Sequence, residues 1–194
     1  MTRTGQPKEH LEGGRLKGGI FRSHLQWVRD HHPDAVPRVI ARLSPDAAKQ
    51  LGGTILATTW FPFAWLIELD RAITETFHGG VDMLRDLGRY SATINLSTTY
   101  RLLDRKANHE FFRNSALIHS QFQDFGKVHY EQTGESSGKM IHTSDTCLSP
   151  SFCMSGLGYY YGCIESHGGI SPGIVETTCQ CYGDAACVFD MHWK

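Results

Sequence analysis

Five of the six cysteines in this 194-residue chain fall between Cys153 and Cys187, and Glu176 stands among them. Thiolates and a carboxylate at four points suit zinc, which takes such ligands in a closed tetrahedron. Cys153, Glu176, Cys179 and Cys187 are therefore the candidate metal ligands. A Gly183–Asp184 turn sets Cys179 and Cys187 near the base of one hairpin, and a helix carrying Cys153 against it would complete the set. Structural zinc contributes on the order of 10 kcal/mol to folding. The spacing is not CxxC…CxxC, and the alternative is a group of ordinary buried thiols. Strand geometry adds a complication. Glu176 and Cys179 point to opposite faces of a regular strand, and a hairpin centred on Asp184 sets Cys181 across from Cys187. Either a bulge lies between Glu176 and Cys179, or Cys181 is the ligand.

A second group of residues could bind rather than react. Trp60, Phe61, Phe63, Trp65, Tyr90 and Tyr100, with Tyr159, Tyr160 and Tyr161, have the mixed apolar and hydroxyl character of a small-molecule pocket. Aromatics at helical spacing serve as core packing more often than as pocket wall. A helix turns about 100° per residue, so at most two of the three consecutive tyrosines face one cavity. Other patterns carry no chemistry. Gly156-Leu-Gly158-Tyr-Tyr-Tyr-Gly162 has one residue too many for a dinucleotide loop and no strand before it. Gly134 to Met140 is one residue short of a phosphate loop and lies in a hairpin turn. Cys163 with Glu165 or His167 is no nucleophile and base, because close neighbours on a helix do not face each other. The chain is read as a non-enzyme.

These residues need elements to hold them. Phe21, Leu25 and Val28 keep helical rhythm up to Pro33. Pro37 to Leu43 reads as a short helix, and Ser44-Pro45-Asp46 opens another that closes at Gly52-Gly53. Pro62 to Phe77, Val81 to Leu96 and Tyr100 to Phe125 continue the helical pattern. The period then changes to two. Lys127 to Gln132 and Lys139 to Thr143 form one hairpin, and Gly173 to Cys181 with Cys187 to Trp193 form another. Between them a helix runs from Ser149 to about His167. The fold class is α+β: a helical N-terminal half, and a four-stranded antiparallel sheet built as hairpin–helix–hairpin in the C-terminal half.

Residues 1–19 read as a flexible lead-in and 20–194 as one domain, helical over 20–125 and sheet-bearing over 126–194. A net charge of −1 gives no pull toward nucleic acid. No apolar run suits a signal peptide or a membrane span, so the chain is expected in the cytoplasm with reduced thiols. No DNA-binding or ATPase region is appended, so a signal would pass through an unidentified protein partner.

The C-terminal half resembles the 4-vinyl reductase domain, a module related to the small subunits of the TRAPP tethering complex and to the sensors of phenol-responsive sigma-54 activators. The likeness rests on the helix GYYYGCIESHGG, then Glu176-Thr-Thr-Cys179, seven residues containing Gly183-Asp184, Cys187, and the aromatic strand from Phe189 to Trp193. It implies a zinc site completed by Cys153, prefers Cys179 over Cys181, and covers roughly Gly126 to Trp193. It also implies a homodimer and a pocket for an apolar or aromatic molecule, for which Trp60, Phe63, Trp65, Tyr90, Tyr159, Tyr160 and Tyr161 are the candidate lining residues. The expected function is a zinc-stabilised sensory domain for such a ligand. The alternative is a dimeric TRAPP-like scaffold without one. Over its whole length the chain is also similar to a myxobacterial family without an assigned activity, through the helical half and Leu87-Gly88-Arg89-Tyr90-Ser91-Ala92. The haem-nitric-oxide-binding proteins have a distant architectural likeness, and the sequence names no axial histidine for it.

Overall fold

In the computed structural model, which describes residues 5–97 and 107–194, a helical half precedes an antiparallel sheet, as the change of period predicts. Strand β1 (Arg15–Lys17) leads directly into α1 (Gly18–His31). Two short helices follow, α2 (Val36–Ile40) and α3 (Pro45–Leu51). Then come β2 (Trp60–Pro62), α4 (Phe63–Phe77), α5 (Gly80–Ser97) and α6 (Asn108–Ile118). The C-terminal half is β3 (Lys127–Gly134), β4 (Ser137–Thr143), α7 (Pro150–Ser166), β5 (Gly173–Thr178) and β6 (Cys187–His192).

The four-stranded sheet has the order β3-β4-β6-β5, every neighbouring pair antiparallel. β1 and β2 make a separate two-stranded ribbon, with Leu16 opposite Phe61. Three-residue strands are too short to show alternation, so no sequence period marks them. The ribbon also changes the reading of residues 1–19 as a flexible lead-in. From Lys8 onward this stretch is engaged. The Lys8 amide donates to the Cys181 carbonyl, His10 pairs with Leu148, and Leu16 is fully buried.

Two apolar clusters form the core. One joins α1, α4 and the short helices through Phe21, Leu25, Val28, Phe63, Leu66 and Ile73. The other lies between α7 and the sheet, around Phe112, Tyr160, Phe189 and Met191. Helix α7 starts cleanly: the Ser149 hydroxyl accepts from the Ser151 amide, and Pro150 sits at the first helical position. Tyr100 and Leu103, read from sequence as part of the sixth helix, lie outside the described residues. Among the described residues, no helix is long and apolar enough to cross a membrane.

Candidate ligand cavity and thiol cluster

Where the helical half meets the sheet, the fold leaves a cavity of about 710 Å³. Helix α1 contributes Ile20 and His24, α5 contributes Ser91 and Asn95, and Phe122 and Phe125 close the side beyond α6. Val128, Met140 and Phe189 of the sheet and Phe152, Gly156, Tyr159 and Tyr160 of α7 complete the walls. The lining is largely apolar with a few placed polar groups, the composition of a small-molecule site.

The residues expected at a pocket divide between wall and packing. Trp60, Tyr159 and Tyr160 line the cavity. Trp60 also carries the Lys17 ammonium 4.1 Å from its ring centre. Phe63 is buried between Phe125 and Phe152, with ring centres 5.0 and 5.2 Å away. Trp65 packs near Phe61 at 6.1 Å, and the Tyr90 hydroxyl donates to Asp30. Tyr161, one step further round α7, sits under the Arg89 guanidinium at 5.0 Å. The tyrosine run therefore gives two rings to the cavity and one to a cation.

Tyr160 also bonds through its hydroxyl to Nε2 of His142, another lining residue. Burial pushes the His142 imidazole down to about 3, so the ring stays neutral. His119 is held below its ordinary value by the same cause, although its contact with the Phe125 carbonyl pulls the other way. The third lining imidazole, His24, is 1% exposed, and its Nδ1 lies 2.6 Å from Oδ1 of the fully buried Asp70. Beside it the hydroxyls of Ser23 and Ser91 are 2.6 Å apart. Sequence reasoning passed over this pair, yet a signal existed. His24 continues the apolar stripe of Phe21, Leu25 and Val28, and Asp70 continues that of Phe63, Leu66 and Ile73. Titratable residues on two core-facing stripes must meet a partner or each other.

Three cysteines converge with Glu176 near the N-terminal end of α7, and two of them, Cys153 and Cys187, also line the cavity. Donor atoms of Cys153, Glu176, Cys179 and Cys187 all lie within 4.8 Å of one another. Sulfur–sulfur distances are 3.9 Å for Cys153–Cys179, 3.7 Å for Cys153–Cys187 and 3.8 Å for Cys179–Cys187. All six cysteines are free thiols. The strand objection is met by a register shift between Glu176 and Thr178, which turns Cys179 to the same side as Glu176. Cys181 follows in a short turn of helix, Gln180–Tyr182. Hydrogen bonds from Cys153 and the neighbouring thiols draw Cys179 down, and the bond to Cys179 pushes Cys153 up. The Gln180 amide adds a donor to Cys187 Sγ at 3.3 Å.

Cys163, by contrast, is walled in. Burial raises its thiol, His167 Nδ1 is turned to the Cys163 carbonyl at 2.7 Å, and Glu165 is clamped by Arg89 through two bonds of 2.8 Å. Neither neighbour is placed to act as its base.

No family model and no curated protein sequence matches the chain. Solved structures do. An H-NOX protein from S. oneidensis in the Fe(II)NO ligation state has a TM-score of 0.72 at 12% identity, covering 92% of this chain and 99% of that one. An oxygen-binding H-NOX domain related to soluble guanylate cyclases, in its oxygen complex, gives 0.69 at 14% identity, with 92% and 95% covered. A structure that probes the function of haem distortion in the H-NOX family gives 0.68 at 14%, with 92% and 94% covered. At these identities the likeness is one of fold.

Two expectations are corrected by these matches. The 4-vinyl reductase and TRAPP resemblance rested on a short motif in the C-terminal half, whereas the H-NOX likeness spans both halves of the chain. The expectation of zinc, drawn from the thiolate and carboxylate set and strengthened by that resemblance, is corrected with it. The structures that share the fold are described with Fe(II) and haem.

Proposed function

We propose that this chain is a non-enzymatic small-molecule-sensing domain that holds its ligand in the cavity between the helical half and the sheet. The observation that carries this reading is the cavity itself: about 710 Å³, walled by both halves, so that an occupant touches each of them. A ligand that contacts two packed units can bias their arrangement, which is what a sensor requires. A scaffold without a ligand has no use for such a space and is not favoured.

The structures of like fold bind gases at haem iron, so haem is the first occupant to consider. It asks for apolar walls, an axial base and cations for its two carboxylates. Phe122, Phe152 and Met140 supply walls, Lys17 and Lys127 stand at the lining, and imidazoles face the space. The residues present fit the group. When bound, haem supplies an iron that takes up a small gas; the chain's own residues exclude water and fix the ring. A second reading, an apolar or aromatic organic ligand, is favoured by Ser115. Its buried hydroxyl lines the cavity and has no hydrogen-bond partner among the described residues. A ligand hydroxyl would satisfy it.

Titration of the purified protein with haemin, followed by absorbance and melting temperature, is the test, with phenols and fatty acids as a parallel panel. A ligand at 100 times its Kd stabilises by roughly 2.7 kcal/mol, a clear melting shift. If neither haemin nor any member of the panel moves the melting point, the sensor reading fails.

Two further features belong to the proposal. Cys153, Glu176, Cys179 and Cys187 act as a cation-holding clamp between α7 and the β5–β6 hairpin, its ion to be identified by measurement. A homodimer forms through the helical half, where Val81 and Leu117 expose 52% and 79% of their surface.

A further inference from the structure

We infer that the cavity takes an apolar carboxylic acid tail-first, with the carboxylate held at the rim by the ammonium of Lys17. This rests on the organic-ligand reading of the cavity. Arg15 and Lys17 lie two residues apart on β1 and so project from the same side of the strand. Both flank the Trp60 ring of β2, at 5.7 and 4.1 Å from its centre. Arg15 is already neutralised, since its Nε donates to Asp124 Oδ2 at 2.6 Å. Lys17 has no carboxylate partner among the described residues; it donates to the Thr58 carbonyl at 2.7 Å. An ammonium has three N–H donors, so that single bond leaves capacity for an anion. Of the two cations only Lys17 lines the cavity.

The charge of the lining points the same way. No aspartate or glutamate stands among the described residues that line the space, whereas Lys17 and Lys127 do. An anion therefore enters against no like charge, and a cationic ligand finds no counter-charge. Lys127 also borders a smaller hollow lined by Asp124 and Asp145, which leaves Lys17 as the better-placed counter-ion. The lining is graded as well. Lys17 and Trp60 are half-buried and Thr58 is exposed, while Met140 and Phe189 across the space are buried. A head that stays hydrated and a tail that leaves water suit such a gradient. Haem shares the carboxylate chemistry. An organic acid, however, asks for no axial base, and His119 and His142 already engage Nε2 with the Phe125 carbonyl and the Tyr160 hydroxyl.

The test is calorimetric titration of wild type, Lys17→Met and Lys17→Arg with decanoate, 1-decanol and haemin. Decanoate is expected to bind wild type roughly tenfold more tightly than decanol, the worth of one charge-assisted hydrogen bond at a half-buried site. Lys17→Met should lose that preference and Lys17→Arg should keep it. Decanol bound as tightly as decanoate, or a folded Lys17→Met that keeps the preference, overturns the inference and leaves the organic-ligand reading standing. Binding of neither molecule overturns both, and haemin uptake by that same protein would assign the carboxylate chemistry to haem. Decanoate binding that survives Gly156→Leu, whose side chain grows into the cavity, places the acid elsewhere and also rejects the inference. Should Lys17→Met fail to fold, wild type decides: a decanoate preference that added salt does not weaken is no ion pair, and the assignment fails.

Discussion

Gly88 on α5 and Gly158 on α7 face each other where the two helices cross. A Cβ on Gly88 would lie 1.9 Å from the Ser155 carbonyl oxygen, and one on Gly158 would lie 1.9 Å from that of Arg85. Each glycine thus makes room for the other helix's backbone, and α7 is brought close enough to put its tyrosines on the cavity. Backbone cannot step aside as a side chain can. Gly158→Ala is expected to cost about 1–3 kcal/mol or more, against a gain of at most about 1 kcal/mol in helix propensity. Urea denaturation would measure it, and a midpoint equal to wild type would show that the crossing is looser than described.

The thiol cluster gives a prediction by residue. Because the bulge between Glu176 and Thr178 turns Cys179 toward Cys153, Cys179→Ser should lower both the bound metal content and the melting temperature. Cys181→Ser should leave the metal content unchanged. Elemental analysis of protein purified without added metal reads both. No metal in the wild type would leave the cluster as buried thiols, and loss on Cys181→Ser would shift the ligand set.

His119 sets a pH dependence. Its folded pKa is lowered from 6.5, chiefly by burial, so the unfolded chain binds a proton more readily than the native one. Stability from this group is therefore complete above about pH 6.5 and is lost as pH falls toward the folded value. The slope cannot exceed about 1.4 kcal/mol per pH unit, and partial exposure of the ring makes it smaller. His119→Gln should flatten the acid side of the stability curve between about pH 7.5 and 5.5. A curve parallel to wild type would show that the imidazole titrates alike in both states.

Long periodic segments were the legible part of this chain. The Phe21, Leu25 and Val28 stripe, the change to period two at Lys127, and the turn glycines led directly to α1, the two hairpins and the helix between them. The four candidate metal ligands were also within reach, because one hairpin and one helix N-terminus bring them together locally. The β1–β2 ribbon was not, since three residues carry no periodicity. Nor was the cavity. Its walls come from segments as distant as Ile20 and Phe189, and which face of an aromatic helix meets empty space is decided by tertiary packing. Tyr160 and Tyr161 are indistinguishable in sequence, yet one lines the cavity and the other lies under Arg89. The His24–Asp70 contact spans 46 positions, and only the apolar company of each residue hinted at it.

Gly156 offers the sharpest test of the cavity itself. It lies on α7 between Cys153 and Tyr160 and lines the space, and a Cβ there would meet nothing within 4 Å. A side chain at this position therefore grows into the cavity without striking backbone, unlike one at Gly158. Gly156→Leu should keep the fold, with a gain of up to about 1 kcal/mol from replacing a helical glycine. It should also fill part of the binding volume. The expected outcome is a melting temperature at or above wild type with haemin and organic ligands no longer bound. A variant that is stable yet binds as wild type does would place the ligand site elsewhere on the molecule.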